Sequence, residues 1–316
     1  MKQKKQTKPT PPPSLMRRID KMVDFKTFPA SVLPVLYGAA YVFYRTGKWH
    51  LMHTLLLLFG VMCVQAATNM INDYFDYKRQ ADTKHRAAEK TLVSGEVSLK
   101  AFKRIIMLLL TVALGIGLYF SVVIHPWVLV VMTIAVTVLT LYSAGPLPLC
   151  YTPFGEVVSG LTMGLGITAP VMVILSGQVN ESTFMIPVPT ILYIGTILLT
   201  NNLSDIRGDL VAGRKTLPIL IGEDRAKRLW IVNVMMMLIV SCLLAAEGFY
   251  SWVIPLVLGI TFPWKTLVKF MGMAHSEKTK GPAMGSIAAI GIRYHGVAIL
   301  LLIALRLLQS FGISLF

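Results

Sequence analysis

Two clusters of oxygen-bearing side chains follow apolar stretches of the chain. The first contains Asn72, Asp73, Asp76 and Asp82, and the second contains Asn202, Asp205 and Asp209. Carboxylates three or four residues apart lie on one face of a helix. Oxygen atoms are the ligands that Mg²⁺ prefers, and Mg²⁺ commonly binds a few carboxylates together with substrate phosphates. The spacing therefore predicts a site for Mg²⁺ and a diphosphate group.

Helical geometry would bring the members of each cluster together. If the helix of the first cluster continues through Asp76, then Asp73 shares its face and Asn72 lies one turn before it. The second cluster occupies positions i, i+3 and i+7, which predicts one continuous helical face. Gly213 is expected to end that helix. A single aspartate at a helix end is usually a solvated or capping residue, but two matched clusters favour a functional site.

Basic residues follow both clusters. Lys78 and Arg86 accompany the first cluster, and Lys215 follows the second. A cation beside a diphosphate stabilises the negative charge that grows as a C–O bond breaks. We therefore expect Lys78, Arg86 and Lys215 to contact the diphosphate, and an ordinary loop position is the alternative for Lys215.

The rest of the chain has the composition of a membrane protein. Of its 316 residues, 55% are apolar and only 14% are charged, compared with about 25% charged residues in soluble proteins. Stretches long enough to span a bilayer occur at 27–46, 51–72, 104–124, 126–145, 156–176, 184–202, 229–247, 249–268 and 290–314. The sequence therefore predicts an all-α, polytopic membrane protein of about nine transmembrane helices, with eight or ten as alternatives.

The distribution of charge predicts the orientation of these helices. The net charge is +15, and most lysines and arginines lie in segments 1–26, 73–104, 203–228 and 262–293. The alternate connections carry only Arg45 and Lys48. The positive-inside rule then places the N-terminus and both aspartate clusters in the cytoplasm and the C-terminus outside, in a cell membrane. This pattern argues against nucleic acid as a partner. Residues 1–25 are expected to be a disordered basic, Pro-rich tail, and residues 26–316 one transmembrane domain.

The two clusters also resemble motifs of a known family. Residues 72–76 (NDYFD) with Asp82, paired with residues 205–209 (DIRGD), are similar to the two signature motifs of the UbiA superfamily of intramembrane prenyltransferases. Residues 202–222, which read NLSDIRGDLVAGRKTLPILIG, resemble the 1,4-dihydroxy-2-naphthoate polyprenyltransferase branch, as do residues 142–148 (YSAGPLP). The resemblance covers residues 20–225.

This resemblance implies a bundle of about nine helices around a central cavity that the two motif loops cap. It implies that two Mg²⁺ ions bind the diphosphate of a polyprenyl donor through Asp73, Asp76, Asp82, Asp205 and Asp209, supported by Asn72 and Asn202. An allylic cation would form and be attacked by an aromatic acceptor, here 1,4-dihydroxy-2-naphthoate with loss of carbon dioxide. The product would be demethylmenaquinone, an intermediate of menaquinone biosynthesis.

Three further residues are candidates for the same site. The ring of Tyr142 is expected to face the allylic cation, and a tyrosine of the membrane interface is the alternative. Lys26 is a candidate for the carboxylate of the acceptor, although a helix-end lysine that reaches the interface would look the same. Glu156 is expected to orient a cation or a hydroxyl group, or else simply to begin a helix.

Two other functions are compatible with parts of the pattern. Another aromatic acceptor, such as 4-hydroxybenzoate or homogentisate, would leave the metal chemistry unchanged. A cation transporter would also place acidic residues in a membrane protein. A transporter would need acids across the membrane, whereas Glu156 and both clusters are expected on one side.

Overall fold

The computed structural model describes residues 14–78, 91–143 and 148–313, and within these ranges the chain forms helices and turns without a strand. The first helices are α1 (Leu15–Val23), α2 (Pro29–Thr46), α3 (Leu51–Lys78), α4 (Leu99–Val123), α5 (Trp127–Ser143) and α6 (Gly155–Ser176). They are followed by α7 (Val188–Leu203), α8 (Ile206–Val211), α9 (Leu217–Ile221), α10 (Glu223–Ala246), α11 (Val253–Thr261), α12 (Trp264–Met271) and α13 (Lys280–Ser310). The predicted all-α fold is confirmed.

The long helices have the length and composition of membrane spans. Among the described residues, seven helical segments are long and apolar enough to cross a bilayer, and α11 with α12 form an eighth candidate that is bent by 51°. The shorter α5 is also apolar. The chain is therefore a multi-pass membrane protein, and the number nine stays a prediction.

The bend between α11 and α12 was not predicted. It occurs beside Pro263, which has no backbone N–H to continue the helix. The carbonyl of Thr261 accepts a hydrogen bond from Arg293 Nε of α13 at 3.0 Å. A neighbouring helix thus satisfies a backbone group at the break, as an apolar environment requires.

Buried aromatic contacts join the C-terminal helices to the site-bearing α7. Trp230 of α10 stacks on Phe270 of α12, with ring centroids 3.8 Å apart. The indole Nε1 of Trp230 donates a hydrogen bond to Thr200 Oγ1 of α7 at 2.8 Å. Both rings are fully buried. This arrangement fixes the end of α7 from which the second aspartate cluster follows.

Helices α6 and α7 approach so closely that their backbones touch. A Cβ atom at Gly164 would lie 2.6 Å from Ile191 Cα, and one at Gly160 would lie 2.7 Å from the Ile191 carbonyl oxygen. Both glycines belong to a π-helical stretch of α6, Gly160–Leu165. Small residues allow this kind of approach between membrane helices.

Replacing Gly164 with Ala should therefore destabilise the protein, because the added methyl group would overlap the backbone of Ile191. Overpacking of this kind costs about 1–3 kcal/mol. The thermal unfolding midpoint of the purified protein in detergent measures the effect. Gly285→Ala in α13 is the matched control, since among the described residues no atom of another helix lies within 4 Å of the Cβ position there. An unchanged midpoint for Gly164→Ala would contradict the described packing.

The N-terminal segment differs from the expected tail. Residues 1–13 lie outside the described residues, but α1 falls within the segment that we expected to be disordered. Ile19 and Met22 of this helix pack on an apolar cluster that includes Met70 and Phe102. The tail therefore contains an ordered helix, and the division of the chain at residue 25 remains a prediction.

Candidate active site

The first aspartate cluster lies at the end of a long helix. Helix α3 has 28 residues and continues to Lys78, so the condition for Asp73 and Asp76 to share a face is met. A helix of this length extends about 42 Å, longer than the ~30 Å hydrocarbon core of a bilayer. Its last turns can therefore lie outside the hydrocarbon region while its remainder crosses the membrane. Asp82 and Arg86 lie outside the described residues.

The single helical face predicted for the second cluster is wrong. Helix α7 ends at Leu203 and α8 begins at Ile206. At the break, the backbone N–H and the Oγ of Ser204 both donate to the Thr200 carbonyl, at 3.1 and 2.8 Å, and Asp205 leaves helical geometry with φ −127° and ψ 21°. Asn202 is therefore on α7, whereas Asp209 is on α8. Gly213 follows α8 with a φ of 73°, as the sequence predicted.

Arg214 joins the two clusters. Its Nη2 lies 3.3 Å from Asp76 Oδ1, and its Nη1 lies 3.3 Å from Asp209 Oδ1. Burial lowers the pKa of the Arg214 guanidinium, but the carboxylates of Asp76 and Asp209, together with Cys150 and Tyr151, raise it, so the net pKa lies above the ordinary arginine value. The structure thus brings the ends of α3 and α8 to one place, although they are far apart in sequence.

A second cation contacts the same cluster. Lys280 Nζ at the start of α13 lies 3.4 Å from Asp205 Oδ2. Gly208 lies so close to Asp205 that a side chain there would overlap the carboxylate. Within the described ranges, no group of three acidic, histidine or cysteine side chains is arranged to enclose a metal ion. Arg214 and Lys280 lie against three of the carboxylates, those of Asp76, Asp209 and Asp205.

Tyr151 supports the position of Arg214. The guanidinium carbon lies 5.1 Å from the centroid of the Tyr151 ring, a cation–π distance. The backbone N–H of Lys215 donates to the Tyr151 carbonyl at 2.9 Å. The side chain of Lys215 is exposed. Within this segment, the basic residue that reaches the carboxylates is therefore Arg214, one position before the predicted Lys215, whose role remains a prediction.

Glu156 and Asn202 form a buried pair. Asn202 Nδ2 donates a hydrogen bond to Glu156 Oε1 at 3.0 Å, and Glu156 is only 6% exposed. The close approach of α6 and α7 positions both side chains, because Gly195 lies against the Glu156 carbonyl. Asn202 therefore contacts the start of α6, and its support of a metal shell remains a prediction.

An apolar cavity of about 340 Å³ lies beside the first cluster, between helices α2 to α6. Its lining on α3 runs from Leu57 to Asn72, which corresponds to roughly 22 Å along the helix axis. Tyr142 also lines it, and so do Phe120 and Trp127; the contact of the Tyr142 ring with the allylic cation remains a prediction. The cavity therefore has the length and the lining to hold an extended hydrocarbon chain.

A network of amide and hydroxyl groups forms part of the cavity wall. Asn69 Nδ2 donates to Thr27 Oγ1 at 2.8 Å and to the Val23 carbonyl at 2.7 Å. Gln65 Nε2 donates to Thr27 Oγ1 at 3.1 Å, and Ser31 Oγ donates to Gln65 Oε1 at 2.9 Å. The sequence analysis missed these residues. Gln65, Asn69 and Asn72 continue the polar face of α3 into an apolar span, which is the signal that could have found them.

Two other predicted residues lie at the surface. Lys78 is the last residue of α3 and is exposed, and Lys26 is exposed on a single turn at Phe25–Thr27. Their roles remain predictions. Lys26 is next to Thr27, which belongs to the polar network of the cavity wall. Lys280 was missed because its segment was interpreted only as a signal of membrane orientation.

The amino-acid sequence matches a known protein family and a relative of known activity. The family model described as "UbiA prenyltransferase family" matches residues 31–307. A 1,4-dihydroxy-2-naphthoate octaprenyltransferase from Bacillus subtilis is 34% identical over 248 residues, which are 77% of this chain and 74% of the relative.

Solved structures share the fold. A UbiA homologue from Aeropyrum pernix aligns with a TM-score of 0.67 at 17% identity, over 88% of this chain and 98% of the homologue. A UbiA homologue from Archaeoglobus fulgidus bound to GPP and Mg²⁺ aligns with a TM-score of 0.63 at 18% identity, over 90% of this chain and 99% of the homologue. The chain therefore belongs to the UbiA prenyltransferase family and is a multi-pass membrane polyprenyltransferase.

Proposed function

We propose that this enzyme transfers a polyprenyl group from a polyprenyl diphosphate to 1,4-dihydroxy-2-naphthoate. The C–O bond to the diphosphate breaks, a C–C bond to the aromatic ring forms, and the ring loses its carboxylate as carbon dioxide. The product is the reduced form of demethylmenaquinone. The observation that carries the proposal is the meeting of two aspartate clusters through Arg214, beside an apolar cavity.

The carboxylates have the chemistry of a magnesium site. Asp73, Asp76, Asp205 and Asp209 supply oxygen atoms, and the ends of α3 and α8 come within reach of one guanidinium. These four residues would hold Mg²⁺, with Asp82 as a further ligand from outside the described residues. Bound Mg²⁺ would neutralise the charge that develops on the leaving diphosphate. The Mg²⁺ in the Archaeoglobus fulgidus homologue supports this assignment.

Arg214 and Lys280 are proposed to bind the diphosphate oxygens. Each is held beside the aspartates by a contact of 3.3–3.4 Å. A guanidinium binds phosphate oxygens with two parallel N–H groups. Both cations would then place the diphosphate against the carboxylate clusters and stabilise it as it leaves.

The cavity is proposed to hold the hydrocarbon chain and to exclude water from the allylic cation. Its lining is mainly apolar, and Tyr142 reaches it from α5. The electron-rich face of a tyrosine ring stabilises a cation near it. The amide groups of Gln65 and Asn69 offer hydrogen-bonding groups for the hydroxyls of the aromatic acceptor. Lys26 remains the proposed contact of the acceptor carboxylate.

The site is proposed to face the cytoplasm, with the C-terminus outside. The basic segments that flank both clusters support this orientation through the positive-inside rule. The proposed acceptor carries a carboxylate and would arrive from the aqueous side. The diphosphate would leave to the same side.

Product mass tests the function directly. Purified enzyme in lipid nanodiscs is given Mg²⁺, a polyprenyl diphosphate and 1,4-dihydroxy-2-naphthoate, with 4-hydroxybenzoate in a parallel reaction. We expect the mass of a prenylated, decarboxylated naphthalenediol, and no product when EDTA removes the divalent ions. Product with 4-hydroxybenzoate alone would overturn the naphthoate assignment and leave the transfer chemistry in place. If neither acceptor gave a product, both the naphthoate assignment and the proposed transfer chemistry would be contradicted.

A further inference from the structure

Helix α1 carries an apolar stripe that extends beyond the helical bundle. The apolar residues of this helix are Leu15, Met16, Ile19, Met22 and Val23. At 100° per residue they fall within one face. Met22 is buried and Ile19 packs with it, whereas Leu15 is 74% exposed and Met16 is 70% exposed. The Met22 end of the stripe is therefore covered, whereas the Leu15 end is exposed among the described residues.

The surroundings of α1 place it at the membrane boundary. The cluster that covers Met22 includes Met70 and Tyr74 from the last turns of α3 and Phe102 and Ile106 from the first turns of α4. These residues lie towards the Lys78 end of α3 and the Leu99 end of α4, the ends that the proposed orientation places at the cytoplasmic interface. On the outer face of α4, Met107 and Leu108 are 62% and 64% exposed, as expected of side chains that face lipid. Large apolar side chains are thus exposed both on α1 and on α4.

Three of the four charged residues of α1 are basic, the exception being Asp20, and this excess of positive charge complements an anionic surface. Arg17, Arg18 and Lys21 lie outside the apolar face. Lys21 Nζ pairs with Glu96 Oε1 at 2.7 Å and ties α1 to the segment before α4. Arg17 is exposed. Basic amphipathic helices of this kind lie in the plane of the bilayer interface, with the apolar side 5–10 Å below the headgroups.

We propose that α1 is an interfacial anchor that binds an anionic lipid surface. Leu15 and Met16 enter the upper acyl-chain region, and Arg17 binds lipid phosphate groups. The anchor is coupled to the active site, because the Val23 carbonyl at the end of α1 accepts the 2.7 Å hydrogen bond from Asn69 of the cavity wall. An anionic bilayer therefore holds the α3 end that carries Asp73 and Asp76.

Depth-dependent quenching tests the anchor without measuring prenyl transfer. Cys63, Cys150 and Cys242 are the three cysteines of the chain, and they are replaced by Ala in the full-length protein. Met16→Cys is then labelled with a fluorophore in nanodiscs that contain nitroxide lipids with the spin label high on the acyl chain. The comparison uses phosphatidylglycerol-rich and pure phosphatidylcholine nanodiscs. Asp224→Cys, exposed in the first turn of α10, is the control position.

We expect strong quenching at position 16 in anionic nanodiscs, weaker quenching in phosphatidylcholine, and little quenching at position 224. Equal and weak quenching at positions 16 and 224 would overturn the proposal. Quenching at position 16 that appears only after deletion of residues 2–13 would also overturn it, because the chain's own N-terminus would then cover the stripe.

A charge substitution tests the anionic part of the proposal. Each basic residue near an anionic surface contributes about 1 kcal/mol to membrane binding. Arg17→Glu should therefore shift the ratio of membrane-inserted α1 to released α1, read from the quenching at position 16, at least fivefold toward release. Arg225→Glu, exposed near the start of α10, is the matched control and should leave the ratio unchanged. Equal ratios for Arg17→Glu and the parent protein would show that headgroup charge does not hold the helix. Failure of the naphthoate assignment would leave these results unaffected.

Discussion

Replacing Asp76 with Asn should reduce prenyl transfer by on the order of 10²–10³-fold, the loss typical when one group that stabilises developing charge is removed. The substitution keeps the size of the side chain but removes a negative charge from the meeting point of α3 and α8. A proposed magnesium ligand and an ion pair with Arg214 are lost together. Steady-state kcat/KM with saturating acceptor measures the loss.

Two further substitutions serve as a comparison and a control for the Asp76→Asn prediction. Asp209→Asn should cause a loss of similar size, because its carboxylate lies 3.3 Å from the same guanidinium. Asp224→Asn alters an exposed carboxylate of α10 and should leave turnover unchanged. A circular dichroism spectrum equal to that of the parent protein would show that the bundle is intact. Full activity in Asp76→Asn would remove the metal-site proposal.

Replacing Arg214 with Ala should lower kcat/KM for the donor by roughly 10- to 100-fold, the equivalent of one or two charge-assisted hydrogen bonds. The expected loss has two origins. Arg214 no longer holds Asp76 and Asp209 in register, and it no longer binds the diphosphate. Initial rates over a series of donor concentrations measure the effect, which we expect as a raised donor KM together with a lower kcat.

Substitutions of two nearby basic residues, Arg225 and Lys215, distinguish the specific roles of Arg214 from a general loss of positive charge. Arg225→Ala removes an exposed cation of α10 and should leave the donor KM unchanged. Lys215→Ala should cause a smaller loss than Arg214→Ala, because the Lys215 side chain is exposed. A larger loss for Lys215→Ala would return the predicted role to Lys215 and contradict the assignment of Arg214.

Much of the first cluster was predictable because its geometry is local. The spacing of Asn72, Asp73 and Asp76 fixes a shared face once the helix continues, and α3 does continue to Lys78. Composition likewise predicted a membrane protein, since that class depends on the mean properties of long segments. These features require no knowledge of tertiary contacts.

The second cluster could not be predicted in the same way. Its periodicity fits a helix, but the turn at Asp205, with φ −127° and ψ 21°, interrupts it. Asp205 also pairs with Lys280, a tertiary contact that the periodicity of the segment does not encode. The choice between Arg214 and Lys215 is similar, because the chain direction after Gly213, at a φ of 73°, decides which side chain turns inward.

The helix α1 was missed for a different reason. Its segment follows lysines and prolines that are typical of disorder. Only five of its residues are apolar, too few to signal a core helix. Their burial depends on a cluster built by α3 and α4, which is tertiary information.

The glycine contact between α6 and α7 limits which residues of the cavity wall can be substituted without moving the backbone. On α6, Gly160 and Gly164 bring the backbone against Ile191, so a bulkier residue at either glycine would push the whole helix and move the Thr162 and Met163 lining with it. On α5, Val131 and Met132 line the cavity from a shorter helix. Shortening either side chain would enlarge the cavity, whereas a bulkier residue at position 132 would meet Gly117 of α4, against which the Met132 side chain packs. Attempts to change the length of the accepted prenyl chain should therefore begin on α5.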